Sequence, residues 1–588
     1  MNEMDPTPPA PAIDALVARI ATLEATLADE RAAHATSLDL NDQLAKENGQ
    51  LRATHDRLRQ ELELIRRRIF IAKAERIDSA QLELEFAEKL AALDLLAGKI
   101  GENSSPADAQ AEAPGGAGAP QGKRPKTKPK GRRDLSKADI PEDRVEISDP
   151  IFEELVRDGK AERIGFEESY KLAWQRGGHL RLVIARIKYR AVDAQGESSV
   201  ETAELPPEAF PRSLAAPSML AHIINEKHCQ GLPLFRIEDR FALDGMPVDR
   251  GTMCRWLENA GATAGATVIA AAREEALRTA FCLSTDATGV AVQPIPTPDK
   301  KRQPCRRGHF FVQIADLDHV FFEYTPRETS AAVGAMFRGF SGYVQSDAKN
   351  VFDILFRPPD DNKSLGDEAV RVEVGCWTHA RRGIWETAMT TKSAVAREGL
   401  FRIGRIYALE NNWQRKPPAE IKRLRILHSR PLVDAFFVWA AAEYEKIRNE
   451  RGPLSSALGY VIRQKDALMR FLEDGRLKLD NNHSERALRR IAVGRKAWLF
   501  AGSDDHAASA GHLFSLIASA RLHRLDPEAY LRDLFRVLGQ WPRDRYIELA
   551  PKYWAATRAR LDPRQLADEV GMLTIPPTPS AEKQPPSD

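Results

Sequence analysis

Between Phe281 and Leu355 the chain spells out one strand, a pair of strands joined by a tight turn, a short helix and a fourth strand. This succession constrains the fold more than any other stretch. FCLSTDATGVAVQ (Phe281–Gln293) reads as a buried strand, and GHFFVQIADLDHVFFEYT (Gly308–Thr325) as a hairpin turning at Asp316–Asp318. RETSAAVGAMFRGF follows as a short amphipathic helix, and GYVQSDAKNVFDIL as a strand ending at Asp347. Strands mixed with helices in this order call for an α/β layer architecture. Asp286 falls inside the first strand, and a carboxylate among apolar strand residues is costly to bury unless it is paired or bound to metal. Asp347 stands where the fourth strand ends, the place where sheets containing parallel strands put functional groups. Carboxylates on neighbouring strands can bracket a Mg²⁺ and leave positions for phosphate oxygens.

A third acid must come from elsewhere, and LEDGRLKLDNNHSERALRRIAVGRKAWLF is the richest run for it. Asp480, Asn481 and Asn482 read as the turn that opens a helix. That helix carries Glu485, with Leu488 and Ile491 on its apolar side. Arg486, Arg489 and Arg490 line its flank, and Arg495 and Lys496 follow. Two readings stay open: a surface salt-bridge cluster, or cations that hold DNA phosphates while Glu485 holds metal. Trp498 is either a core residue or a platform for a base.

The 588 residues allow three or four domains at roughly 150 residues each. Residues 1–100 read as a coiled-coil region: Ile13, Ile20, Leu27 and Leu62 fall at a positions, and Leu16, Leu23, Leu44, Leu51, Leu58 and Ile65 at d. Asn41 and Asn48, also at a, favour two strands, so a homo-oligomer is expected; the bland alternative is one long solvated helix. Residues 101–138 form a disordered basic linker, in which Lys123–Arg133 holds seven basic residues in eleven and serves either phosphate contact or solubility. Residues 139–213 make a small mixed domain with a strand at Leu180–Val192. Residues 214–265 read as helix, Asp244-Gly245 turn, helix, with Asp249 as N-cap of the second helix. Leu234, Ile237, Phe241 and Leu243 face inward on the first helix, and Met253, Trp256 and Leu257 on the second. As a helix-turn-helix this pair would turn Arg250, Thr252 and Arg255 toward DNA; a plain helical hairpin is the alternative. The catalytic core spans 275–540 with a helical insertion at about 355–470, and 541–588 hold a C-terminal helix and a disordered tail. A net charge of +2 does not exclude nucleic acid, because distribution matters more than the sum. No apolar run is long enough for a membrane span and the N-terminus does not read as a signal peptide. The five cysteines are too scattered for a disulfide framework or a zinc site, so a cytoplasmic, nucleoid-associated protein is expected.

Several runs together carry a resemblance: IRRRIFIAKAERIDSAQLELEF, LPLFRIEDRF, STDATGVAV, GFSGYVQSDAKNVFD, CWTHARR, DGRLKLDNNHSERALRRIAVGRKAWLFAGSD and SLIASARLHRLDPEAYLRDLF. From about residue 65 to 537 the chain resembles the large transposases of the insertion-sequence-66 family, members of the DDE (Asp-Asp-Glu) group with a ribonuclease-H-like core. The resemblance implies a DNA transposase whose Asp286, Asp347 and Glu485 are catalytic and hold two Mg²⁺ (or Mn²⁺) ions. It implies double-stranded DNA, both element ends and target, as partner, with accessory proteins possible. In that chemistry Arg486, Arg489, Arg495 and Lys496 would clamp phosphates. Cys376 and His379 resemble a pair found between the second and third acids of such enzymes and are read as structural or DNA-positioning, as are Asn481 and Asn482. Two departures stand out. Residues 140–212 contain no cysteine where many members carry a zinc module, so no zinc is expected; and Ala287 follows Asp286 where the family often has a polar or acidic residue. A DNA-binding regulator without catalysis and a metal-dependent nuclease on the same fold are the competing readings.

Overall fold

The structure is a computed structural model. It describes residues 140–175, 178–192, 198–294, 303–357 and 369–578, with a few isolated positions between 18 and 26. The heptad seam, the basic linker and the end of the C-terminal tail therefore lie outside the described residues.

The first unit of secondary structure is a four-stranded sheet: β1 (Glu142–Ile147), β2 (Ala161–Gln175), β3 (Gly178–Val192) and β4 (Ser198–Thr202), with helix α1 (Pro150–Arg157) after β1. β3 is central, antiparallel to β2 and β4 and parallel to β1. The expected strand at Leu180–Val192 lies within it. Leu182, Ile184, Ile187 and Tyr189 of β3 are buried with Ile147. The Tyr189 hydroxyl accepts from Asp149 N at 2.9 Å and donates to Glu153 at 2.7 Å, tying α1 to the sheet.

Helix α2 (Pro217–Ile224) is buried from Ser218 onward and continues into a π-turn (Asn225–Cys229). Helix α3 (Leu234–Leu243) and helix α4 (Arg250–Ala260) follow, separated by Gly245 at φ +78°, a left-handed position that favours glycine. Asp249 caps α4 by accepting from the backbone N–H groups of Gly251 and Thr252. Ile237, Phe241, Met253 and Leu257 are buried as the periodicity requires, and Trp256 is half-buried, but Leu243 is 88% exposed. Leu243 is the last residue of its helix and has nothing to pack on. Nor does α4 end at Ala260: a π-turn (Gly261–Gly265) carries it into α5 (Ala266–Thr279), so the second helix of the pair is far longer than the turn signals suggest.

The second sheet has the order β7-β6-β5-β8-β9, built from β5 (Cys282–Val292), β6 (Arg306–Ala315), β7 (His319–Thr325), β8 (Gly342–Gln345) and β9 (Arg371–Val374). β5, β6 and β7 run antiparallel; β8 and β9 lie parallel to β5. Helix α6 (Ser330–Phe337) provides the crossover to β8. The hairpin turn is made by Asp316 and Leu317, both at positive φ. β9 lies within the stretch read as helical insertion; at four residues it is too short to give a period. The sheet's outer edge is covered. Ser519 and Ser515 of helix α12 (Asp504–Leu522) accept from the backbone N–H groups of Val320 and Phe322 at 2.9 and 2.7 Å. Gly511, one turn earlier, leaves no room for a Cβ against Phe322 O. One stripe of small residues thus pairs an edge strand that would otherwise stay open.

The four longest helices among the described residues between the sheet and Glu485 are α7 (Trp377–Thr391), α8 (Ala394–Trp413), α9 (Arg430–Ile447) and α10 (Pro453–Arg463). Residues 381–414 and 431–462 form a compact unit of their own. Within it Gly399 admits the Trp439 ring, and Arg402 lies over that ring at 5.4 Å. In the other unit, helix α11 (Asn482–Trp498) packs on β5 and β6, and α13 (Pro527–Val537) and α14 (Pro551–Arg558) complete the large core around Tyr530, Leu534 and Trp554.

Candidate active site

The parallel pairing of β5 with β8 aligns Ser284 with Gln345, and two residues beyond each of these stand Asp286 and Asp347. The two acids therefore leave neighbouring strands at the same level. Asp347 has a side chain only 7% exposed. Ala348 takes φ +58°, which turns the chain so that Lys349 N donates to Asp347 Oδ1 at 3.3 Å. The Lys349 ammonium stands 3.3 Å from Asp347 Oδ2 and 3.7 Å from Glu328. Asp286 accepts one bond, from Ala287 N at 2.7 Å. Its carboxyl is pushed up to about 6, first by burial and then by the charges of Asp347 and Glu485, while the Ala287 N–H and Lys349 act in the opposite direction. Asp286 thus feels the charge of both other acids.

Glu485 lies in the first turn of α11, and that turn is tied to β5 at several points. Asn481, fully buried, donates from Nδ2 to Thr285 O at 2.6 Å, and its backbone N–H donates to Cys376 Sγ at 3.3 Å. The Ser484 hydroxyl donates to Ser284 Oγ at 3.2 Å, and His483 Nε2 lies 2.6 Å from the same oxygen. Burial holds the His483 ring down to about 4, so it is neutral at physiological pH. Thr378 donates to Asn482 Oδ1 at 3.1 Å. His379 Nε2 is 3.7 Å from Glu485 Oε1, an ion pair only when the ring is protonated. The Cys376 thiol is fully buried and burial pushes it up to about 12, so it is a neutral packing and hydrogen-bonding group. That charge state suits neither a nucleophile nor a zinc ligand.

Of the cations expected on α11, Arg486 and Lys496 are exposed and Arg489 half-buried. Arg495 is differently engaged: its guanidinium donates to Thr288 Oγ1 at 3.1 Å and to Gly289 O, fixing the far end of α11 to β5. On α4, Arg250 and Arg255 are exposed, whereas the Thr252 hydroxyl donates to Asp249 at 2.6 Å and accepts from Arg255 at 2.9 Å. Three residues of the acid cluster escaped the sequence reading. Lys349 and His483 each lie two positions from an expected acid, and Ser284 two before Asp286. A charged or polar neighbour at that spacing is the signal that could have found them. All ligand candidates offered here are hard carboxylate oxygens, the donor type that Mg²⁺ and Mn²⁺ prefer. Among the described residues, however, no three His, Cys, Asp or Glu side chains are already gathered around one point as a metal would require.

Comparison with known proteins places this geometry in context. The model of the family described as "Transposase IS66 family" matches residues 212–509, and that of the "IS66 C-terminal element" matches residues 515–552. Among curated proteins, y4hP of Sinorhizobium fredii, described as uncharacterized, is 27% identical over 377 residues, covering 60% of this chain and 65% of its own length. A second uncharacterized protein of that organism, y4qI, is 25% identical over 379 residues, covering 63% of this chain and 68% of its own length. The chain thus spans about two thirds of the curated relatives it matches. No helix among the described residues is long and apolar enough to cross a membrane.

Proposed function

Since this chain belongs to the IS66 transposase family, we propose that it is a DDE transposase that cleaves and joins DNA with Asp286, Asp347 and Glu485. The observation that carries this reading is geometric: Asp286 and Asp347 stand at the same level on paired parallel strands, and the first turn of α11, which carries Glu485, is tied to the first of those strands. Such a cluster is short of positive charge. The sheet order, with three antiparallel strands followed by two parallel ones, supports a ribonuclease-H-like core. The three carboxylates would hold Mg²⁺ or Mn²⁺. When bound, such ions activate water and neutralise charge on the leaving oxygen of a phosphodiester.

This chain's own residues supply positioning. Asn481, Ser484 and Arg495 fix α11 to β5, and so set Glu485 against Asp286. His379, 3.7 Å from Glu485, would pair with it when its ring is protonated. Lys349 offsets the two strand acids when no other cation does. Arg486, Arg489 and Lys496 would hold backbone phosphates, while Arg250 and Arg255 support the α3–α4 pair as a second DNA contact, in the manner of a helix-turn-helix. Engagement of Arg495 with β5 gives it a structural role in place of phosphate contact. Residues 1–100 would join two copies, as two element ends must be brought together, and the stretch 139–213 would serve without zinc.

The test uses the full chain, labelled duplexes carrying the DNA that flanks its own gene, and Mg²⁺. Wild type should nick and transfer strands. Asp347→Ala and Glu485→Gln should each lose at least a hundredfold in nicking while duplex affinity stays within about threefold, since catalysis here is positioning and charge stabilisation. Nicking at wild-type rate in Glu485→Gln would remove Glu485 from the site. Duplex binding without cleavage by wild type would favour a regulator.

A further inference from the structure

Beyond its first turn, α11 borders two cavities that share Lys227, His228, Trp498 and Phe514. The smaller, about 320 Å³, is lined on the α11 side by Arg486, Arg489 and Arg490. The larger, about 590 Å³, has aromatic walls from Phe235, Phe310, Trp498, Phe500 and Phe514. That volume lies within the roughly 300–1,000 Å³ of sites that bury a small molecule. Its rim is unusually apolar for a surface: Phe235 is 46% and Phe500 40% exposed. Leu499, at φ +64°, ends α11, and Phe500 of the rim follows it.

The polar groups here are poorly compensated. Arg490 is half-buried, and desolvation and the charge of Arg521 both disfavour its cation; the neighbouring Cys229 thiol, itself pushed up by burial, carries no charge to offset it. Lys227 is half-buried, and desolvation holds its ammonium below the usual lysine range, with the neutral Cys254 thiol nearby. Desolvated cations without a carboxylate partner are costly unless an anion joins them. His228, 5% exposed, lines both cavities, and neither ring nitrogen has a hydrogen-bond partner. A buried imidazole with two unsatisfied nitrogens calls for a ligand carrying donors or acceptors.

We propose that the paired cavities hold one unpaired nucleotide of the DNA, its phosphate on the arginine side and its base between the aromatic walls with an edge toward His228. This deepens the proposed function and rests on it. An anionic group joined to a flat aromatic ring bearing donors and acceptors is what the two cavities together fit, and bases taken out of the stack are held in this way. Thirteen residues of helix separate Glu485 from Trp498, about 20 Å at 1.5 Å per residue. A DNA strand running along α11 at 3.4 Å per nucleotide would then put the unpaired base about six positions from the cut.

The test measures affinity of the full chain, in EDTA so that no cleavage occurs, for 40-bp duplexes of the gene's flanking DNA with a single mismatch walked along the ten positions nearest the element end. A mismatch removes the expense of unpairing. One position should therefore tighten wild-type binding about tenfold, and Trp498→Ala and Phe235→Ala should abolish that gain. Lys496→Gln, an exposed cation that lines neither cavity, should weaken every duplex alike and keep it. Because Phe235 is half exposed, its truncation should leave the thermal midpoint unchanged and serves where Trp498→Ala does not fold. No favoured position, or a gain that persists in Phe235→Ala, would overturn the proposal. Nicking of the matched duplex in Mg²⁺ by the same wild-type preparation separates the two readings. A mismatch gain without nicking would sink the transposase reading and leave the nucleotide site standing; nicking without a gain would do the reverse.

Discussion

Asp286 is the residue on which the local physics turns. Its folded carboxyl titrates near 6, above the ordinary value of 3.8, so the stability it contributes is full below pH 3.8 and is lost as pH rises through 6. Asp286→Asn, which does not titrate, should therefore match wild type near pH 3.5. Above pH 6 in EDTA it should be more stable by no more than about 2 kcal/mol, given the partial exposure of the group. Thermal unfolding between pH 3.5 and 8 measures this, and added Mg²⁺ should raise the wild-type midpoint and leave the variant unmoved. A variant less stable than wild type at pH 8 in EDTA would contradict the electrostatic account. Asn481 acts by geometry. Removing its buried amide in Asn481→Ala leaves Thr285 O unpaired and should destabilise the fold by about 1–3 kcal/mol. If it positions Glu485, nicking should fall further than duplex affinity, and unchanged nicking in the folded variant would reduce Asn481 to a packing residue.

At the scale of elements, the site depends on helices held at close range by small residues. The π-turn joining α4 and α5 crosses α12 where Gly261 and Gly265 face Ser509 and His512, and a Cβ on Gly261 would collide with the Ser509 backbone. Alanine is the better helix former by about 1 kcal/mol, so propensity and packing oppose each other at this position. Packing should win: a backbone collision moves a whole helix, and Gly261→Ala should lose about 1–3 kcal/mol in a denaturation experiment. A stabilised variant would mean that the two helices are held less closely than described. The same logic runs along α12, whose Gly511, Ser515 and Ser519 approach β7 and close the sheet edge.

At the scale of the whole molecule, joining two DNA ends requires more than one active site, and the heptads before residue 70 are the proposed means. Leu51→Lys with Leu58→Lys puts two charges into consecutive d positions, and charges buried in a seam are not tolerated. Light scattering should find wild type as a multimer and the double variant as a monomer with its nicking of single ends retained. A multimeric variant would assign assembly to another part of the chain.

Much of this protein was written in local sequence. Period and turn chemistry gave β5, the hairpin within Asp316–Asp318, the Asp249 cap and the start of the Glu485 helix, because each depends on neighbours within a few residues; β8, expected to run to Asp347, stops two residues earlier, at Gln345. Asp286 announced itself as an acid in an apolar strand, since burying charge is expensive wherever it occurs. Other features were settled only by tertiary structure. β9 is four residues long and exists because β8 offers it a partner. Leu243 has the right period and is exposed, because burial needs a surface to pack on, and none meets it there. Arg495 reads as one more cation on a basic helix until β5 supplies the carbonyl that takes it. Lys349 joins the acids through a left-handed turn at Ala348, and His228 meets Trp498 across more than 250 residues of chain. Sequence fixes what a residue can do within its own turn or strand, whereas contacts between distant segments depend on how the elements stack.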